Sequence, residues 1–120
     1  MEESNMHWAQ YTMYILIIII VFFASTAFGQ IKVEQFNAGW NDANTVSWVQ
    51  NLTDCKTISY TDIAVVTDAQ TKYKIAVVPT IIIFKDGEEA LRFQADLSFK
   101  MLATKEEVQE AIDELLMSDF

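Results

Sequence analysis

The sequence predicts an α/β fold, a mixed central sheet flanked by helices. Three observations lead there. Strand-forming and helix-forming runs alternate at the start of the folded region. Residues 81–84 are four apolar residues in a row, a strand that needs cover on both faces. Lys85-Asp86-Gly87 is a turn signal, and the chain after it returns as a strand, giving a hairpin.

The elements follow in order. Residues 31–37 are rich in strand formers, with Ile31 and Val33 on one face and Lys32 and Glu34 on the other. Ala38-Gly39-Trp40-Asn41 breaks that strand. Residues 42–52 read as a short helix capped by Asn41 or Asp42, with Val46, Val49 and Leu52 on one face. Residues 57–61 are a short β-favouring run, and 68–74 give one or two helical turns with Ala69 and Tyr73 at i, i+4. The buried strand 80–84, the turn and a strand over 88–95 come next. Thr104 and Glu107 form a capping box, and Val108, Ala111, Ile112, Leu115 and Leu116 are the apolar stripe of a closing helix.

The chain of 120 residues carries 17 acids against 8 bases, for a net charge of -9. That argues against nucleic acid or an anionic membrane surface as a partner, because both require cationic neutralisation of phosphates. One cysteine excludes an internal disulfide and a cysteine zinc cluster. The single histidine, His7, precedes the folded region, so a Ser-His-Asp site lacks its base and no metal site is expected. Three glycines and no G-x-G-x-x-G leave no phosphate-cradling loop, and no cofactor is expected.

Between Glu3 and Lys32 no Lys, Arg, Asp or Glu occurs, and 13–28 is nearly continuous hydrocarbon. This divides the chain into a hydrophobic segment, 1–29, and a domain, 30–120. Removing Glu2 and Glu3 from the 17 acids leaves the domain 15 acids and 8 bases, a charge of -7. Two readings of the segment stay open. Ala27-Phe28-Gly29 resembles a signal-peptide cleavage site, which implies export to a periplasm or secretion. An uncleaved segment is instead a single-pass membrane anchor, with Trp8, Tyr11 and Tyr14 at the interface. A buried core helix is the third possibility.

Residues 73–80 read Tyr-Lys-Ile-Ala-Val-Val-Pro-Thr, followed by the apolar strand and Lys85-Asp86-Gly87. This resembles the second half of a thioredoxin. Residues 33–40, ending in Phe36-Asn37-Ala38-Gly39-Trp40, resemble the strand and entry to the thioredoxin active site. The resemblance covers about residues 31–116. It implies a thioredoxin-like fold, reduced to a minimal glutaredoxin-like core. It also implies that Pro79 is cis and faces an active-site turn at Trp40, Asn41, Asp42, Ala43 and Asn44, across a groove lined by Val77, Val78, Pro79 and Thr80. The backbone groups just before Pro79 are then expected to stand open to an extended peptide.

Where thioredoxins carry W-C-x-x-C, this chain carries asparagine at both sulfur positions, Asn41 and Asn44. Thiol-disulfide exchange needs a thiolate to attack and a second thiol to resolve, and carboxamides do neither. Cys55 is a small packing residue or a stray thiol. Asn51-Leu52-Thr53 matches a glycosylation sequon. Residues 97–102, with four apolar side chains, stand where the family has a tighter turn, and form a rival contact loop. The expected function is a redox-inactive, protein- or peptide-binding thioredoxin-like domain, exported or tethered through 13–28. The alternatives are a monothiol oxidoreductase using Cys55 and a structural subunit of a membrane assembly.

Overall fold

The computed structural model describes residues 30–118. The elements run β1 (Ile31–Asn37), two 3₁₀ segments (Gly39–Asn44 and Ser47–Asn51), β2 (Thr57–Asp62), α1 (Asp68–Lys72), β3 (Thr80–Lys85), β4 (Glu88–Gln94) and α2 (Lys105–Met117). The four strands form one sheet in the order β2-β1-β3-β4. β1 and β2 are parallel, and the other two pairings are antiparallel.

Ile81, Ile82 and Ile83 are all fully buried because successive side chains enter different layers. Ile81 and Ile83 join Ile31, Val33, Val49, Val108 and Ile112 under α2. Ile82 joins Phe36, Ala69, Ile75 and Val78 on the opposite face, under α1. Each fully buried isoleucine contributes about 1.5–3 kcal/mol of transfer free energy. The hairpin turn has Asp86 at φ 53° and Gly87 at φ 86°. Both central residues are left-handed, as a tight hairpin turn requires.

At the start of α2 the Thr104 hydroxyl accepts a hydrogen bond from the Glu107 amide at 3.2 Å. At its end, Lys85 Nζ donates to the Leu115 carbonyl at 2.8 Å. That contact places a cation on the negative end of the helix dipole.

The helix expected over 42–52 is not one helix. Two 3₁₀ segments stand there, separated by Thr45 and Val46. Nor does Asn41 or Asp42 cap it: Ala38 holds the cap position, with no side-chain cap. The spacing of Val46, Val49 and Leu52 is three, the period of a 3₁₀ helix rather than of an α-helix. α1 is also shorter than expected, ending at Lys72, and Lys74 turns left-handed at φ 53°.

Among the described residues, no helix is long and apolar enough to cross a membrane. The hydrophobic run 13–28, the 1–29 boundary and His7 lie outside the described residues.

Candidate functional site

The site grows from the polar end of β1. Asn37 is fully buried, and its amide donates to the Asn41 carbonyl at 3.2 Å and to Thr45 Oγ1 at 3.0 Å. Gln35 pairs in both directions with Val46, accepting from its amide at 2.8 Å and donating to its carbonyl at 3.1 Å. These two side chains fold the following segment back over the strand. Short helical segments leave their end amides and carbonyls unpaired, and these strand side chains supply partners for some of them.

Asn41 is the hub, only 6% exposed. Its Nδ2 donates to Asn37 Oδ1 at 3.1 Å, to the Phe99 carbonyl at 3.3 Å and, more weakly, to the Val78 carbonyl at 3.4 Å. Its Oδ1 accepts from Asn44 Nδ2 at 2.8 Å. The two asparagines at the expected sulfur positions are therefore bonded to each other. Asp42 and Ala43 are exposed, and Asp42 Oδ1 accepts from Thr45 Oγ1 at 3.3 Å.

The turn faces the residues before β3. The Val78-Pro79 peptide is cis, and the Pro79 side chain is fully buried. Thr80 Oγ1 donates to the Val77 carbonyl at 2.6 Å, and the Pro79 carbonyl accepts from the Ala95 amide at 3.0 Å. With Asn41 on the Val78 carbonyl, both carbonyls just before Pro79 are occupied from within, contrary to the expectation that they stand open. The amides of Ala76, Val77 and Val78 make no hydrogen bond among the described residues.

The rival loop is part of the same site. Ala95 and Met101 form an isolated bridge that closes 96–100 into a turn. Asp96 Oδ1 accepts from the Ser98 amide at 2.8 Å, the Lys100 amide at 3.2 Å and the Ser98 hydroxyl. The Ser98 hydrogen bond, then the Lys100 amide, holds the Asp96 carboxyl below its usual range. The turn places Phe99 at φ 66°. This is a left-handed conformation that bulky residues rarely adopt. In that position its carbonyl meets Asn41, and its ring meets Trp40 edge-on at 5.2 Å between centroids. Edge-on contact is a favoured geometry for aromatic pairs. Trp40 remains 67% exposed. Trp40, Phe99, Ala76, Val77 and Val78 line a shallow cavity of about 90 Å³. Leu97 and Leu102, further round the loop, are exposed.

Cys55 is not part of this site. It precedes β2, and the next amide, Lys56 N, bonds to the Ile31 carbonyl at the start of β1. The asparagine turn follows the other end of β1, so the length of a seven-residue strand separates the two. At the usual strand rise that is roughly 20 Å. Burial, then the charges of Asp54 and Asp113, push the Cys55 thiol up, which disfavours the reactive thiolate. Its Sγ donates to the Thr53 carbonyl at 3.4 Å, and the side chain packs against the core under α2. The monothiol reading needs Cys55 beside Pro79, and that juxtaposition is absent. Trp48 also packs against that core, and Asn51 of the sequon is exposed.

Gln35 and Asn37 do not stand out in the sequence. The one signal they give is an uncharged amide side chain on each side of Phe36, in a strand that already carries Lys32 and Glu34. Among the described residues, no group of three His, Cys, Asp or Glu could hold a metal ion.

No family model matches the chain, and no curated protein sequence does either. Solved structures do. A mutant thioredoxin from Halobacterium salinarum NRC-1 is 18% identical, with 72% of this chain and 75% of that one covered and a TM-score of 0.59. A designed protein is 24% identical, with 78% and 87% covered and a TM-score of 0.54. A thioredoxin h from poplar is 18% identical, with 72% and 77% covered and a TM-score of 0.52. At these identities the likeness is one of fold, and the fold is thioredoxin-like.

Proposed function

We propose that this thioredoxin-like fold serves as a redox-inactive, protein-binding domain, exported (periplasmic or secreted) or tethered to a membrane by residues 13–28. The observation that carries the reading is Asn41. Its carboxamide stands where a thioredoxin has its first sulfur, and it ties the turn to Asn37, Val78 and Phe99. A carboxamide so engaged supplies hydrogen bonds, not a nucleophile, and Asn44 supplies no resolving thiol.

Binding falls to the surface around that hub. The partner is an extended segment of a protein. Its backbone carbonyls meet the amides of Ala76, Val77 and Val78, and its apolar side chains lie against Trp40 and Phe99. The domain charge of -7 favours a neutral or basic segment, with association slowed by salt if basic.

Two experiments test this. In an insulin-reduction assay with dithiothreitol, the full chain gives the uncatalysed rate. Turnover that vanishes in Cys55→Ser overturns redox inactivity. In a peptide-display selection against the full chain, extended neutral or basic peptides are enriched. Trp40→Ala weakens them by about thirtyfold, the scale of an aromatic hot spot. Phe99→Ser weakens them as well, because the two rings touch. Enriched peptides indifferent to both substitutions overturn the binding surface. N-terminal sequencing of the natural protein decides between export, with cleavage after Gly29, and tethering, with the segment retained.

A further inference from the structure

The second face of the sheet holds a cavity of about 810 Å³, far larger than the groove beside Trp40. It exists because α1 is five residues long and packs over Phe36 and Ile82, leaving the Lys32 half of that face uncovered. Lys32, Lys56 and Lys72 line it, together with Tyr73, Phe84 and Ser59.

Three of the eight bases in an acidic domain converge there. Among the described residues, none of the three ammonium groups is paired with a carboxylate. Lys32 Nζ lies over the Phe84 ring at 5.9 Å and Lys72 Nζ over the Tyr73 ring at 5.2 Å. Both distances suit a cation–π contact. Lys56 Nζ donates to Gln30 Oε1 at 3.1 Å. Of the two carboxylates that flank the lining Gly87, that of Asp86 is engaged by the Gln30 amide and that of Glu88 is exposed.

The wall carries a second, independent signal. Ser59 Oγ is buried and has no hydrogen-bond partner among the described residues. Directly across the β1–β2 register stands Glu34, 8% exposed. Its Oε1 accepts from Thr61 Oγ1 at 2.9 Å, and its Oε2 is the other buried atom without a partner. A buried polar atom left unpaired costs about 1–3 kcal/mol, so the Ser59 hydroxyl on the cavity wall has bonding capacity to offer a bound group.

We infer that this cavity binds a small aromatic anion: a phosphate or carboxylate borne on a flat ring. The ammonium groups hold the anion, one of its oxygens accepts from the Ser59 hydroxyl, and the rings of Tyr73 and Phe84 receive the apolar body. The domain's overall negative charge does not prevent this. At physiological salt, charges beyond about 8 Å are screened, so the local lysines decide the attraction. A nucleic-acid strand is a poor fit, since it demands a continuous basic surface that an acidic domain lacks.

The test is a titration of ¹⁵N-labelled full chain with phenyl phosphate at physiological salt, followed by NMR. Saturable shifts are expected at the amides of Lys32, Ser59, Tyr73 and Phe84. Lys32→Gln combined with Lys72→Gln weakens binding about tenfold, and Ser59→Ala weakens it severalfold. These lysines are exposed, so the double variant keeps the fold, which its unchanged spectrum verifies. Inorganic phosphate and benzyl alcohol each bind more weakly than phenyl phosphate. Three results overturn the inference: no shifts at all, equal shifts at Lys100 and Lys105 outside the cavity, or benzyl alcohol binding as tightly as phenyl phosphate.

Discussion

The C-terminal end and the middle of β1 treat polar atoms in opposite ways. At its C-terminal end, Asn37 and Asn41 bond to each other, to Asn44 and Thr45, and to the Val78 and Phe99 carbonyls. Along its middle, on the face towards the lysines, Glu34 and its neighbour Ser59 each leave a buried oxygen unbonded. The first arrangement commits its hydrogen-bonding capacity to holding the chain in one shape. The second leaves capacity available to a ligand. A closed polar web stabilises when complete and is costly when broken, whereas an open polar wall costs stability until it is filled.

The largest effect should follow from breaking the closed end. Asn41→Ala strands Asn37, Asn44 and two backbone carbonyls, and the expected loss is about 2–4 kcal/mol in urea unfolding. A loss below about 1 kcal/mol would show that the web contributes little to stability. Next comes Arg92, which staples β4 to the end of α1. It donates to the Tyr73 carbonyl at 2.6 Å and the Lys74 carbonyl at 2.9 Å, and pairs with Glu89 at 2.7 Å. Arg92→Ala should cost about 2 kcal/mol, with Arg92→Lys recovering little, because a single ammonium cannot reproduce the fork.

The open middle should respond in the other direction. Ser59→Ala removes a buried hydroxyl that has no partner to lose, so stability should stay within about 1 kcal/mol of the parent or rise. A large destabilisation there would mean that the hydroxyl is satisfied after all. The smallest effect concerns pH. The folded Asp96 carboxyl is held below its unfolded value. Its contribution is therefore present above the ordinary aspartate range, about 3.9, and fades as pH falls through the lower folded value. The protection factors of the Ser98 and Lys100 amides, taken against the intrinsic rate at each pH, should fall in acid. Asp96→Ala should leave both amides unprotected at every pH.

The fold is legible in the sequence where local chemistry and tertiary need agree. Pro79, the isoleucine run, the Asp86-Gly87 turn and the Thr104 cap each announce themselves within a few residues. The 3₁₀ segments read as an α-helix although their spacing of three is visible, because an i, i+3 pattern serves both periods over so short a run. The polar web is harder to read. Asn41 is an ordinary turn residue until Asn37, Val78 and Phe99 are brought around it. The loop 97–102 reads as a rival to the groove because nothing in sequence reveals that Phe99 touches Trp40. The lysine cavity is invisible for a similar reason: its residues are spread from 30 to 87, and only the short α1 leaves them uncovered.

The reach of Asn41 also has a meaning in time. Its partners lie 4, 37 and 58 residues away along the chain. Closing so long a loop requires the intervening sheet to have formed already. On a ribosome, the bond to Phe99 cannot form until residue 99 has emerged. The asparagine web therefore assembles after the sheet, and its completion reports that the four strands are in place.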